Sequence, residues 1–462
     1  MASDAGDITL VVTPPPTPNG PLHVGHLSGP YLAGDIAVRA ARAAGRNVVS
    51  VCGLDAHQNY VLARAEAMGK SGVETANHFA ELIRDALRRS RVEYDLFIDP
   101  LADADYRDGV ARLLTELVAA KAIVVDEVPL PVCGQCGRTL HHVRVSGSCS
   151  VCGAGAAAGT CEECGSFLTA TTLTDAKSGC CQAAPTTRTA RLPVLRLEEV
   201  RDKLLEVWGH AVMPARVRTL ISRYLVDGLP DVLLAYPSDW GITWQHDGEE
   251  LRIDVWAEMA LGYLYAVARH VEPSAHSLSD CVAAWRRIRN IWHTLGIDNA
   301  FYYSTLIPAL LVTAGLPTTV LGGLVVNEFY RLDGLKFSTS RNHAIWAHEF
   351  LAETDPGVVR AFLAWSRPDV YGTDFTMPEF EAFADFYRAV TEGSAAGTTL
   401  DTTLAQRELE RAERALRLES FDAAVAVRCA LAAYPVLPDA AAAVLSHLTG
   451  ATHVGGTVSN GS

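Results

Sequence analysis

The stretch ITLVVTPPPTPNGPLHVGH, residues 8–26, decides how the rest of the chain is read. Its first five residues are β-branched or apolar and read as a short buried strand. A Pro-rich turn follows, and Asn19–Gly20 marks its tightest point. Pro21 suits the first turn of a helix, where its missing N–H costs nothing. An Ala-rich helical pattern then covers 22–44, and NVVSVCG at 47–53 reads as a second buried strand. Strand, turn, helix, strand is the βαβ unit of a parallel sheet. His23 and His26 are three apart, so they are expected on one face of the first helical turn. Free backbone N–H groups and the helix dipole attract anions there. Two imidazoles would donate to a phosphate, and Gly25 between them would let a flat ligand approach the backbone.

Bulk composition bounds the rest. At 462 residues the chain favours about three domains of ~150 residues. It is 49% hydrophobic and 20% charged, an ordinary soluble composition able to bury a large core. A net charge of −14 argues against a wide basic surface for a nucleic-acid backbone, though not against a local patch. The acidic start MASDAGDITL lacks the pattern of a signal peptide. No apolar run reaches the ~18 residues of a membrane span. A cytoplasmic protein with no membrane partner is expected.

Eight of the eleven cysteines fall between Cys133 and Cys181. In a reducing compartment such clustering argues for metal, not disulfides. CGQC, CSVC and CEEC supply the pairs Cys133/Cys136, Cys149/Cys152 and Cys161/Cys164, and Cys180 and Cys181 are adjacent. Thiolates bind Zn²⁺ tetrahedrally, and Cys-x-x-Cys lets two sulfurs reach one ion from a tight turn. The block 124–186 is therefore read as an insertion with its own metal-stabilised core. Cys52, Cys281 and Cys429 are expected to be buried. Helical patterns cover 78–91 and 106–120, strand and helix mix over 251–335, and the chain after Trp346 reads as all-helical with a disordered tail, GGTVSNGS.

A second loop, LDGLKFSTSRN at 332–342, holds one of only five lysines in the chain. HVGH after the first strand, with Lys336-Phe-Ser-Thr-Ser after the last, resembles the class I aminoacyl-tRNA synthetases. PNGPLHVGH, VCGLDAH, DVWAEMALGY and the nested cysteine pairs look like the methionyl branch, over about residues 8–370. The resemblance implies an α/β fold: a Rossmann-like parallel sheet split by a zinc-knuckle insertion and followed by an α-helical region. The corresponding segments are 1–122 and 191–350 for the two catalytic halves, 123–190 for the insertion and 351–462 for the helical end.

The same resemblance implies the chemistry. An amino-acid carboxylate would attack the α-phosphate of ATP, which enters with Mg²⁺, to give an adenylate and pyrophosphate. His23, His26 and Lys336 would be catalytic, with Gly25, Asp298, Ser338, Ser340 and Arg341 binding ATP. Pro15, Thr17, Asp55, Trp256, Ala260, Tyr263 and Tyr303 would surround the amino acid, with Asp55 on its α-ammonium. An inner zinc site would use Cys149, Cys152, Cys161 and Cys164. An outer one would use Cys133, Cys136, Cys180 and Cys181, with His141 or His142 as the alternative fourth ligand. One zinc site is expected and two are allowed.

Three departures shape the functional expectation. Thr339 replaces the second lysine of the family's closing loop. Tyr303 and Ala260 stand where the methionyl branch has histidine and proline, which suits a small amino acid such as glycine better than methionine. About 85 residues follow residue 375, poor in bases or aromatics for nucleic acid. The main expectation is therefore a tRNA-independent ligase that delivers its adenylate to an amine or hydroxylamine, with a separate cupin protein as a candidate partner in N–N bond formation. A methionine–tRNA ligase and a non-catalytic nucleotide- or tRNA-binding protein are the alternatives. Restoring the missing cation tests the loop: Thr339→Lys should speed pyrophosphate exchange by about 30-fold or more, the worth of one charge-assisted phosphate contact. An unchanged or slower rate would mean that the loop is organised around another donor.

Overall fold

A computed structural model describes residues 8–337, 343–394 and 400–451. The tail expected to be disordered, and with it Ser338, Thr339, Ser340 and Arg341, lies outside these residues. The chain divides into two compact units. The first takes the residues up to Asn19, Val51–Ala80 and Leu96–Leu324. The second takes Gly20–Ser50, Glu81–Asp95 and the residues from Val325 onward. Among the described residues no helix is long and apolar enough to cross a membrane.

Five strands make the main sheet: β1 (Ile8–Val12), β2 (Val48–Gly53), β3 (Leu96–Ile98), β4 (Ile288–Gly296) and β5 (Leu321–Asn327), in the order β5-β4-β1-β2-β3. β1 pairs parallel with β4, Leu10 opposite Ile291, and β2 pairs parallel with β3, Val51 opposite Leu96. The near-continuous apolar runs of β1 and β2 follow from burial on both faces. Gly53 ends β2 because a side chain there would meet the Ile98 carbonyl oxygen at 2.5 Å. The chain beyond each strand is held close: Thr13 N–H donates to Val51 O at 3.0 Å, and Asp55 N–H to Pro16 O at 3.0 Å. Residues 13–17 and 53–55 thus converge at the carboxyl ends of β1 and β2, where ligands bind in split parallel sheets.

The insertion leaves the first unit on an antiparallel ribbon, Val124–Cys133 against Pro185–Arg196. Beyond it the elements are short and the apolar core is small: Leu140, Val145, Leu168, Ala170 and Leu173, packed among Cys133, Cys149 and Cys161. So small a core calls for a staple, and the cysteines supply one. Cys52, Cys281 and Cys429 are buried.

In the second unit, residues 22–44 are not one helix. Val24–His26 is a single turn capped by His23, Leu27–Tyr31 widens to a π-turn, and only Leu32–Ala43 is a regular α-helix. Pro30 has no N–H to give, and Gly29 leaves helical geometry at ψ −112°. A side chain on Gly29 would meet Asn327 at 3.0 Å. His23 is therefore the cap and Pro21 lies before it, which corrects the expectation of both within the first helical turn. After Trp346 the chain is not purely helical either. Thr373–Phe375 is a strand paired in parallel with Tyr330–Leu332, itself antiparallel to Leu335–Lys336.

Arg360 ties this unit together. It is fully buried, and it donates to Asp35 Oδ2 at 2.5 Å, Ser90 O at 2.8 Å and Leu448 O at 2.8 Å. Asp35 also accepts from Arg39 at 2.8 Å. One guanidinium thus joins three stretches that are far apart in sequence. Removing one partner of a buried pair strands the other. Arg360→Met should cost about 3 kcal/mol of stability and lower the thermal midpoint accordingly. A midpoint equal to wild type would refute this role.

Candidate active site

Asp55 stands just beyond β2 and is buried. Thr17 donates its hydroxyl to Asp55 Oδ2 at 2.8 Å, while Oδ1 is buried with no hydrogen-bond partner among the described residues. Burial pushes the carboxyl up to about 7, against the Thr17 hydrogen bond, which pulls it down. An unpartnered carboxylate oxygen at the end of a parallel strand fits an ammonium. Asp55 faces a cavity lined by Pro15, Cys52, Tyr106, Glu258 and Tyr263 among others. The hollow has about 330 Å³ of empty space, part of it open to solvent, but the centres of water-sized spheres fit in only about 20 Å³ of it. The smaller figure is close to the roughly 10–15 Å³ that one water needs.

The wall of the cavity comes from the helix Val255–Val271. Asp254 caps it, accepting from Trp256 N–H at 2.9 Å, and also takes the Tyr236 hydroxyl at 2.7 Å and His142 Nε2 at 2.9 Å. Trp256 stacks on Tyr302 with ring centres 3.5 Å apart and meets Tyr303 edge-on at 6.1 Å. The Tyr303 hydroxyl lies 3.5 Å from that of Tyr263 and donates to Met259 Sδ at 3.3 Å. Ala260 is fully buried in the same helix. Pro15, Thr17, Asp55, Tyr263 and Tyr303 are thus brought together, with Trp256 behind Tyr303. Asp298 offers its backbone here: its carbonyl accepts from Thr160 at 2.6 Å.

Sequence reading missed the second charge system of this pocket. His57 Nδ1 meets both Glu258 carboxylate oxygens, at 2.9 and 2.8 Å, and both residues are buried. Burial alone would lower the His57 pKa, but the charge and hydrogen bond of Glu258 outweigh it and raise it. His57 sits two residues after Asp55, inside a stretch already singled out. Glu258, however, lies 201 positions away, and no local spacing joins them.

In the second unit His23 and His26 face each other. His26 N–H donates to His23 Nδ1 and His23 N–H to His26 Nδ1, each at 3.2 Å. With both Nδ1 atoms accepting, each neutral ring carries its proton on Nε2. Burial and the neighbouring ring hold His23 well below the usual range, and burial lowers His26 to about 4. The rings stack at 3.6 Å, and Phe337, next to Lys336, stacks on His23 at 4.4 Å. The two motifs singled out in the sequence therefore meet here. A side chain on Gly25 would lie 3.0 Å from His23 Nδ1 and 3.1 Å from Phe337, so its bare backbone lets these rings close up. The Lys336 ammonium lies over the Phe329 ring at 4.4 Å.

Both cysteine clusters assemble as the resemblance implied. Within each of Cys133/Cys136/Cys180/Cys181 and Cys149/Cys152/Cys161/Cys164 the sulfurs lie within 4.8 Å of one another. Close pairs stand at 3.5 Å (Cys136–Cys180), 3.7 Å (Cys149–Cys164) and 3.6 Å (Cys152–Cys161). Tetrahedral Zn²⁺ with ~2.3 Å bonds asks for sulfurs ~3.8 Å apart, so the donor sets fit a metal. His142 is engaged with Asp254 and His141 packs on Tyr236 at 4.4 Å, so neither replaces a cysteine.

The fold and this site define an α/β protein with a buried carboxylate, one oxygen unpartnered among the described residues, at the carboxyl edge of a parallel sheet. A family model described as tRNA synthetases class I (M) matches residues 9–385, and the chain belongs to that family. Among its relatives are methionine–tRNA ligases of Methanobrevibacter smithii, 29% identical over 79% of this chain and 54% of the relative, and of Porphyromonas gingivalis, 30% identical over 81% and 55%. The chain spans about half the length of these curated relatives. The fold is similar to that of Mycobacterium tuberculosis methionyl-tRNA synthetase in complex with methionyl-adenylate, with a TM-score of 0.67 and 17% identity over 96% of this chain and 88% of that one.

The raised Asp55 carboxyl gives a pH signature. Protonated Asp55 cannot pair with an ammonium, so amino-acid binding should weaken as pH falls through about 7. For a substrate carrying an ammonium, KM should rise across that range while kcat changes less, because bound substrate holds the carboxyl ionised. Asp55→Asn should raise KM about 100-fold, the cost of one lost partner in a buried pair, and flatten the profile. A wild-type profile in the variant would remove Asp55 from this role.

Proposed function

We propose that this chain activates an amino acid with ATP, as an AMP-forming ligase, and that tRNA is the acceptor. The observation that carries the reading is Asp55, a buried carboxylate with one oxygen left for a cation. The α-ammonium of the substrate would sit on Oδ1. Its carboxylate would attack the α-phosphorus of ATP, forming the acyl–phosphate bond as the α–β anhydride breaks and pyrophosphate leaves. Negative charge grows on the phosphate oxygens in that step, and fixed donors there lower the barrier. His23 and His26 would supply neutral Nε2–H donors with no change of protonation, and Lys336 a mobile cation. Mg²⁺ would enter with ATP. Zn²⁺ would fill the cysteine clusters, which hold the insertion and through it His142 and Asp254.

The names of the relatives favour methionine and tRNA. They support the methionine–tRNA ligase reading over the tRNA-independent transfer and cupin partner expected from the sequence. One observation favours a second reading of the side-chain preference. The hollow beside Asp55 leaves only about 20 Å³ for the centres of water-sized spheres, and Tyr303 contacts two of its lining residues, Met259 and Tyr263. In the first reading these side chains move to admit methionine; in the second, a residue such as glycine is preferred. Each methylene in such a pocket is worth about 1–3 kcal/mol, so the two readings separate cleanly.

Pyrophosphate exchange with methionine, alanine and glycine, each with and without total tRNA, decides among them. Exchange with methionine and accumulation of methionyl-tRNA is the expected result. Exchange with glycine alone, trapped by hydroxylamine and indifferent to tRNA, would overturn the acceptor assignment and select the small-substrate reading. Absence of exchange with all three would remove activation of these amino acids.

A further inference from the structure

Three turns in the insertion repeat one hydrogen-bond pattern. In each, the first residue's N–H donates to the sixth residue's carbonyl, and the fifth residue's N–H donates back to the first carbonyl. The distances are 2.8 and 2.9 Å for the turn at Cys133, 2.7 and 2.9 Å at Cys149, and 2.9 and 2.8 Å at Cys161. The fifth residue is left-handed in all three: Gly137, Gly153 and Gly165, with φ of 72°, 76° and 73°. Cysteines fill the first and fourth places.

A fourth turn obeys the same pattern without the same residues. Ser178 N–H donates to Ala183 O at 2.9 Å, and Gln182 N–H to Ser178 O at 3.0 Å. Gln182 takes the left-handed place at φ 56°, where a non-glycine residue is strained. In this register Ser178 stands for the first cysteine and Cys181 for the second. Cys180 falls in the third place, held by Gln135, Val151 and Glu163 in the other turns. Yet its sulfur is the one gathered with Cys133, Cys136 and Cys181. Ser178 is buried, with its Oγ 3.3 Å from Cys133 Sγ.

Place in the turn matters to a thiolate. A first-place sulfur lies over the turn's own amides, as Val151 N–H donates to Cys149 Sγ at 3.4 Å. Such bonds spread the charge of a bound thiolate. A third-place sulfur belongs to the residue whose amide is that donor, so it cannot be served in the same way. The outer cluster is also more open at one position: each cluster buries its first cysteine and exposes its second, but Cys180 is exposed where the inner cluster has buried Cys161. The inner turn is braced from outside as well. Arg223 donates to Cys164 O at 2.6 Å and Arg216 to Glu163 O at 3.0 Å.

We propose that the outer cluster is an exchangeable metal site, that Cys180 is its first ligand to leave, and that Ser178 in the first-cysteine place sets this lability. The inner cluster keeps its metal far longer. The full chain, reconstituted with Zn²⁺ and counted by mass spectrometry, should hold two equivalents. Under excess chelator, with a colorimetric zinc indicator, they should leave in two phases of one equivalent each. Cys180→Ser should lose the fast equivalent, and Cys161→Ser the slow one. Ser178→Cys recreates Cys-x-x-Cys and should slow the fast phase by about tenfold to a hundredfold, the usual effect of a metal's supporting shell. Release of both equivalents in one phase, one equivalent after reconstitution, a fast phase retained in Cys180→Ser, or a fast phase unchanged in Ser178→Cys would each overturn the proposal.

Discussion

A buried carboxylate with one oxygen unpartnered among the described residues is the constraint around which the first unit is organised. Burial makes the ionised form of Asp55 costly, and one hydroxyl from Thr17 offsets only part of that cost. The position is nevertheless enforced from the backbone. Asp55 N–H is tied to Pro16 O, Leu54 N–H to Ile98 O, and Gly53 packs so tightly on Ile98 that no other residue fits. Three strands therefore fix where the carboxylate stands before any ligand arrives. Preorganisation of this kind is what binding and transition-state stabilisation require, because the cost of ordering is met in folding.

The same side chain is set in two opposite states. His57 is buried, but its Nδ1 meets both oxygens of Glu258, and the neighbouring charge outweighs burial and favours its cationic form. The Glu258 carboxylate is thereby engaged by His57, whereas Asp55 keeps one oxygen unpartnered among the described residues. His23 and His26 are paired with each other's backbone and have no carboxylate partner in that exchange, so they stay neutral. Neutral rings with Nδ1 occupied are donors of fixed tautomer. Imidazole is suited to both tasks because small changes in surroundings move it across neutrality.

Legibility in the sequence followed the range of the interaction. The β1–turn–β2 unit and both cysteine clusters were readable because their spacing is local and their chemistry is narrow. HVGH and Lys336-Phe337 were readable as separate motifs, and the stacking of Phe337 on His23 unites them. The break at Gly29–Pro30 was visible as residues but was overridden by the Ala-rich pattern, so the cap at His23 was misplaced. His57–Glu258 and His142–Asp254 escaped because 201 and 112 positions separate the partners. The register of Ser178 escaped for a different reason: the eye aligns cysteines, whereas the turn is defined by backbone hydrogen bonds.

These long-range pairs explain why a small metal-stapled insertion belongs in this unit at all. Its own core is slight, yet it reaches the pocket at two points. His142 holds Asp254, the cap of the helix that carries Trp256, Glu258, Met259 and Tyr263. Thr160, directly before the inner turn, holds the carbonyl of Asp298, and a side chain on Gly159 would lie 3.0 Å from the Tyr302 hydroxyl. Thr160 adjoins the turn that begins at Cys161, and His142 lies between the turns at Cys133 and Cys149. The insertion thus meets the pocket wall through two hydrogen bonds and one close packing contact. Side chains outside a pocket that hold its wall in place shape it as much as those that line it.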